Sequence, residues 1–138
     1  MFLTAIIDIY SRLIVGWQLS NSLKKENQTT LLRETIAAYG QPKIINSDQG
    51  AQYTCAHWVD CLSDLGIRIS IDGKGRATDN AIIERWFRTI KQKYIYLNPP
   101  QTRLSLFHGI RNFVDKYNNR RHQGINRKKP VDMYQLAA

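Results

Sequence analysis

Apolar residues recur along this chain in two rhythms, and the change from one to the other lays out the elements. The opening run Phe2-Leu3-Thr4-Ala5-Ile6-Ile7 is apolar with no helical period, which predicts a buried strand over Phe2–Ile9. Asp8-Ile9-Tyr10-Ser11-Arg12 reads as a turn, and Leu13–Leu19 as the next strand, so the two should form a hairpin. From Lys25 to Tyr39 the spacing turns helical, with Leu31, Leu32, Thr35, Ile36 and Tyr39 inward and Gly40 as the stop. A short strand, Lys43–Asn46, follows Pro42, and Asp48-Gln49-Gly50 makes a turn at its C-terminal end. The next helix begins near Thr54, carries Trp58, Val59, Leu62 and Leu65, and stops at Gly66. Ile67–Ile71 is a strand, and Asp72 to Thr78, with two glycines and two cations, a mobile loop. A long helix starts near Asp79 or Asn80 and runs to about Lys93, striped by Ile83, Phe87, Ile90 and Tyr94. Asn98-Pro99-Pro100 breaks the chain. The last long helix spans Leu104 to Arg120, with Leu104, Phe107, Ile110, Val114 and Tyr117 inward, and a short turn lies around Pro130–Tyr134. This periodicity assigns Trp58, Phe87, Phe107 and Tyr117 to the core rather than to base stacking. The order of elements predicts one α/β domain over residues 1–138, with helices flanking a mixed sheet.

Charge narrows the partners. Twenty Lys and Arg stand against 11 Asp and Glu, a net +9. Eight of the cations and one acid fall between Gln101 and Lys129; six cations and two acids fall between Gly73 and Lys93. Clustering of this kind points to a polyanion, nucleic acid first. No apolar run approaches a membrane span, and no basic segment precedes an apolar one at the start. With two cysteines there is no disulfide framework, which fits a reducing cytoplasm. Cys55, His57 and Cys61 fall within one predicted helix without a fourth ligand, so they read as helix residues rather than a zinc site. His108 and His122 have no metal-type spacing.

The acids carry the chemistry. Phosphoryl transfer on DNA calls for hard, oxygen-rich sites in which carboxylates converge on metal ions. Asp48 stands at the end of a predicted buried strand, where α/β sheets place their sites. Glu84 lies in the first turns of a helix, with 35 residues between them. Arg88 at i+4 and Lys91 at i+7 share its face. By themselves these could be a solvated face with a Glu–Arg pair.

Four motifs shift that balance: Asn46-Ser47-Asp48-Gln49-Gly50-Ala51-Gln52-Tyr53-Thr54, Asp72-Gly73-Lys74-Gly75-Arg76-Ala77-Thr78-Asp79-Asn80, Ile83-Glu84-Arg85-Trp86-Phe87-Arg88-Thr89-Ile90-Lys91, and Tyr117-Asn118-Asn119-Arg120-Arg121-His122-Gln123-Gly124. In this order they closely resemble the integrase-like transposases of bacterial insertion sequences, relatives of retroviral integrases. The resemblance covers nearly the whole chain. It implies a ribonuclease-H-like fold and Mg²⁺-dependent cleavage and joining of DNA at insertion-sequence ends, with Mn²⁺ as a substitute. Hydrolysis of one phosphodiester would be followed by attack of the freed 3′-hydroxyl on a second. Asp48 matches the family's second catalytic aspartate and Glu84 its glutamate, both as metal ligands. Lys91 matches a residue that contacts terminal DNA. The cation clusters add Arg88, Lys74, Arg76, Arg120 and Arg121 as DNA contacts. Target DNA, a homo-oligomer in the full-length protein and a location with the bacterial nucleoid follow from the same resemblance.

The sequence departs from that pattern at its start. The family's fold places three strands before its first helix; this chain shows Phe2–Ile9 and Leu13–Leu19. The run from Ala5 to Trp17 resembles the family's second and third strands, so the first catalytic aspartate would lie upstream. Asp8 then has a structural role, either capping the turn through the Ser11 or Arg12 amide or pairing with Arg12. The region that reads element ends through a helix-turn-helix is likewise expected to be absent. An incomplete core would be catalytically dead or nearly so while still binding DNA, and as such would act by joining an intact transposase in mixed oligomers. A nuclease acting on RNA–DNA hybrids is a third reading, disfavoured by the Asp48–Glu84 spacing and the Tyr117–His122 motif.

Overall fold

The computed structural model describes residues 1–47, 50–71, 80–99 and 102–137. In chain order its elements are β1 (Phe2–Ile7), β2 (Ile14–Ser20), α1 (Lys25–Tyr39), β3 (Ile44–Ser47), α2 (Ala51–Thr54), α3 (Ala56–Leu65), β4 (Arg68–Ile71), α4 (Ala81–Ile90), a π-helical stretch (Lys91–Ile95), α5 (Arg103–Asn118), a 3₁₀ turn (Gln123–Ile125) and α6 (Pro130–Ala137). The short helix α2 was not expected, and α6 extends what the sequence suggested as a turn. Among the described strands, pairing gives two two-stranded sheets, β1 with β2 and β3 with β4. β1 is half exposed rather than buried: Phe2 is exposed and Thr4 is its one buried residue. The chain divides into two compact units, Met1–Ala5 with Val15–Ile82, and Ile6–Ile14 with Ile83–Ala138.

The first unit is built around a parallel pair. Ile44, Ile45, Asn46 and Ser47 lie opposite Arg68, Ile69, Ser70 and Ile71. Parallel neighbours need a crossover, which α2 and α3 supply. The left-handed Gly66 (φ 73°) ends α3; its N–H bonds Ser63 O and the Ile67 N–H returns to Leu62 O. That double bond turns the chain directly into β4. Leu32 of α1 meets Trp58, Cys61 and Leu62 of α3 and Ile67 in one buried cluster. Trp58 is therefore core, as its spacing predicted. Tyr53 packs edge-on against Trp58 at 5.2 Å, and its hydroxyl donates to Gln28 Oε1 at 3.1 Å. Tyr39, expected inward, is exposed: it is the last residue of α1, beyond the cluster.

The second unit gathers the Ile6–Ile14 turn with the C-terminal helices. Trp86 and Ile90 of α4 and Ile110 and Val114 of α5 are its buried centre. Trp86 lies 6.3 Å from both Phe113 and Tyr117. Phe87 is half buried beside it, and Tyr117 is half buried as well. Leu104 and Phe107, predicted inward, are exposed at 66% and 40%. Steps of three residues advance roughly 300° rather than a full turn, so a line drawn by such steps drifts around the helix. The buried line of α5 is instead Leu106, Ile110, Phe113, Val114 and Tyr117, and Leu104 sits about 120° from Ile110.

Candidate active site and nucleic-acid interface

Glu84 stands in the first turn of α4 and is exposed. Two residues on, Trp86 is 2% exposed, so the side of α4 opposite the carboxylate is fixed in the core. Arg88, Lys91 and Lys93 follow and are all exposed. The Glu84, Arg88, Lys91 spacing survives because α4 is regular to Ile90, and Lys91 opens the π-helical stretch, where Tyr96 N–H reaches Lys91 O at 2.9 Å. Glu84, Arg88 and Lys91 thus share one solvent-facing side of the helix.

Asp48, Lys74 and Arg76 lie outside the described residues. The residues before Asp48 are described. β3 ends at Ser47, which is buried, and the oxygens Ser47 Oγ and Asn46 Oδ1 are buried with no partner among the described residues. Asn46 Nδ2 donates to Ser70 Oγ at 3.2 Å, so this strand end is polar on both strands of the pair. Among the described residues no three His, Cys, Asp or Glu side chains converge. Cys55 and Cys61 are free; His57 and Cys61 lie in α3, whereas Cys55, predicted within the same helix, is the extended residue between α2 and α3, and His57 Nε2 is engaged with Thr29 Oγ1 at 3.0 Å.

Asp8 takes the turn-capping role expected of it, through Ser11. Asp8 Oδ2 accepts from the Ser11 amide at 2.9 Å and from the Ser11 hydroxyl at 2.6 Å. Ser11 is fully buried, and its Oγ in turn accepts from Leu13 N at 3.1 Å. Arg12, in the left-handed region at φ 64°, donates its amide to Asp8 O and its guanidinium to Ile9 O.

The Tyr117–Gly124 motif has a fastening role that its sequence did not disclose. Asn118 closes both hydrogen bonds with the backbone of Ile14, accepting from its N–H at 2.9 Å and donating to its C=O at 3.2 Å. A terminal helix residue bearing a side-chain amide is the only sequence signal for this. Beside it, burial pushes the Tyr117 phenol above its ordinary value, and Arg12 and Arg120 partly oppose the rise. The His122 ring lies 4.4 Å from that of Tyr117, and its Nε2 donates to Tyr117 O at 2.9 Å. Arg120 and Arg121 are exposed just past α5.

The model of the integrase core domain family matches residues 1–77, and a second integrase core domain model matches residues 65–130. The transposase for insertion sequence element IS904 of Lactococcus lactis subsp. lactis is 32% identical over 136 residues, covering 96% of this chain and 54% of that protein. The putative transposase InsK for insertion sequence element IS150 of Escherichia coli is 26% identical over 123 residues, covering 88% of this chain and 44% of that one. The chain thus spans about half the length of the curated relatives it matches. Among solved structures, a simian T-cell lymphotropic virus intasome chain superposes with a TM-score of 0.78 at 19% identity, over 96% of this chain and 47% of that chain. The HTLV-2 integrase catalytic core domain, solved in complex with magnesium, superposes at 0.74 and 17% identity over 96% and 83%. These neighbours establish the ribonuclease-H-like fold that the resemblance implied.

Proposed function

Because the chain belongs to the integrase core domain family, we propose that it is core sequence of a DNA transposase that cuts and joins strands at insertion-sequence ends. The observation that carries this reading is Glu84, a solvent-facing carboxylate held by the buried Trp86 at the start of α4 and followed along the helix by Arg88 and Lys91. Two insertion-sequence transposases match it across most of its length.

The donors fit a hard divalent cation: Asp48 and Glu84 both offer carboxylate oxygens, and the strand that leads to Asp48 ends in the buried oxygens of Asn46 and Ser47. Asp48 and Glu84 would hold Mg²⁺, with Mn²⁺ as a substitute, and a bound ion supplies positive charge to the oxygens around the reacting phosphorus. Arg88, Lys91 and Lys93, and likewise Lys74 and Arg76, would hold DNA phosphates, and Arg120 and Arg121 would do so past α5. Self-association of the full-length protein is part of the proposal; the HTLV-2 core has been described in trimeric and dimeric forms.

A second reading, DNA binding by this chain without catalysis, is favoured by Asp8. Its carboxylate is committed to Ser11, so a third acidic ligand would have to come from elsewhere.

Both readings meet one assay: strand cleavage and transfer with Mg²⁺ or Mn²⁺ on DNA taken from either side of the gene. This chain is compared with one extended upstream. The extended chain is expected to be active. Asp48→Asn or Glu84→Gln should each lower its rate about a thousandfold or more, on the order of 4 kcal/mol of barrier, with DNA binding retained. Full activity in Glu84→Gln overturns the catalytic assignment. Equal activity from the short chain, lost on Asp8→Asn, makes Asp8 the first acid.

A further inference from the structure

Past α5 the chain closes a small loop. His122 N–H bonds Lys128 O at 3.1 Å and Arg127 N–H bonds His122 O at 2.9 Å, making His122 and Lys128 an antiparallel bridge. Buried Ile125 and Pro130 and the His122–Tyr117 ring contact anchor it. At its tip Lys128 N–H donates to Ile125 O at 3.1 Å, around Asn126 (φ 56°, ψ 39°) and Arg127 (φ 60°). Two successive left-handed residues spanned by such a bond make a type I′ turn. Asparagine suits the first of these positions, and glycine the second.

The second position is Arg127. A long side chain is disfavoured there because its Cβ crowds the following carbonyl. Strain of this kind persists where the surroundings enforce it, and it gathers where a side chain serves a function. Arg127 is exposed. Arg121 reaches across the turn and donates from its guanidinium to Arg127 O at 3.2 Å, bringing a second cation to the tip. Arg120 and Lys128 are exposed nearby, and the sequence has no Asp or Glu from Lys116 to Val131. Cations gathered without an acid repel one another in the free protein, and an anion among them relieves that repulsion.

We propose that Arg127 and Arg121, at the tip of the Ile125–Lys128 turn, form a preformed clamp for a nucleic-acid phosphate. Planar guanidinium groups suit a phosphate bidentately, and a tip already closed by hydrogen bonds loses little freedom on binding. The inference rests on the DNA-binding reading above and extends it to Arg127.

The clamp predicts opposite signs for stability and binding. The full chain and its Arg127→Gly variant are titrated with a fluorescent mixed-sequence DNA duplex across a salt series and melted without DNA. Relief of the left-handed arginine should raise the Tm of Arg127→Gly by roughly 2–4 °C. Loss of one phosphate contact should weaken binding on the order of fivefold at about 0.1 M salt and lower the slope of log K against log salt by about one. Arg127→Lys should retain that slope. If the parent binds with salt dependence and Arg127→Gly matches it in affinity and slope, the clamp is refuted while DNA binding stands. If the parent does not bind the duplex at low salt, the DNA-binding reading fails and takes the clamp with it. A lower Tm for Arg127→Gly would show that the arginine serves the fold, overturning the strain argument.

Discussion

Tyr117 shows how many influences meet on one side chain in this protein. Its ring faces Trp86 on one side and His122 on another, while Arg12 and Arg120 lie within electrostatic reach. Burial is the larger influence and favours the neutral phenol; the two guanidinium groups favour the anion. The folded-state value therefore lies above the ordinary 10.0. Well below that ordinary value both folded and unfolded chains hold the proton, and the stabilisation is fully present. As pH rises past it, the unfolded chain releases its proton first, and stability falls through the folded-state value. Denaturant midpoints measured from about pH 9 to about pH 11 should fall less steeply in Tyr117→Phe than in the parent. Identical slopes would show that burial does not govern this group. At this scale the sequence discloses what is local. Asp8 capping through Ser11 is legible because donor and acceptor lie within one turn. The left-handed Arg127 is not legible, because nothing about an arginine announces a positive φ.

Elements meet at glycines where two backbones come close. A Cβ on Gly16 of β2 would overlap Thr35 Oγ1 of α1 and stand 3.4 Å from Leu31 Cδ1. Thr35 cannot easily give way, since its hydroxyl donates to Leu31 O at 2.8 Å. Gly16→Ala should destabilise the chain by about 1–3 kcal/mol. Thr35→Ala in the same chain should recover part of that, so that the double variant loses less than the sum of the singles in urea denaturation. Additive losses would place the strain elsewhere. Gly109 of α5 plays the same part for Tyr94, whose ring fills the space a Cβ would need. Helix centres were legible in the apolar spacing, as Leu31, Leu32, Trp58, Leu62, Ile90 and Ile110 show. Helix ends were not: Tyr39, Leu104 and Phe107 follow the stripe and run out of core to meet. Nor did spacing distinguish the π-helical Lys91–Ile95 from an ordinary last turn, because the widening is written in backbone bonds. On α4, Glu84, Arg88 and Lys91 are exposed, and Trp86, the buried residue opposite them, was missed because Phe87 fits the same stripe nearly as well.

Over the whole molecule a net charge of +9 rests largely on solvent-facing side chains such as Arg88, Lys91, Lys93, Arg120, Arg121 and Arg127. If about four of these neutralise phosphates, DNA affinity should drop on the order of a hundredfold between ~50 mM and ~200 mM salt. Fluorescence anisotropy of a labelled duplex measures it, and affinity indifferent to salt would rule phosphate contacts out. The charge and its clustering were fully legible; the way the chain folds back on its own beginning was not, since it depends on the side-chain amide of Asn118. That amide meets the backbone of Ile14 from 104 residues away. The distance has a consequence in time. During synthesis at about 5–20 residues per second, Ile14 is made roughly 5–20 s before Asn118. Until then one residue of the first hairpin has an amide and a carbonyl with only water to bind, and the young chain must wait for its own far end before it can fasten.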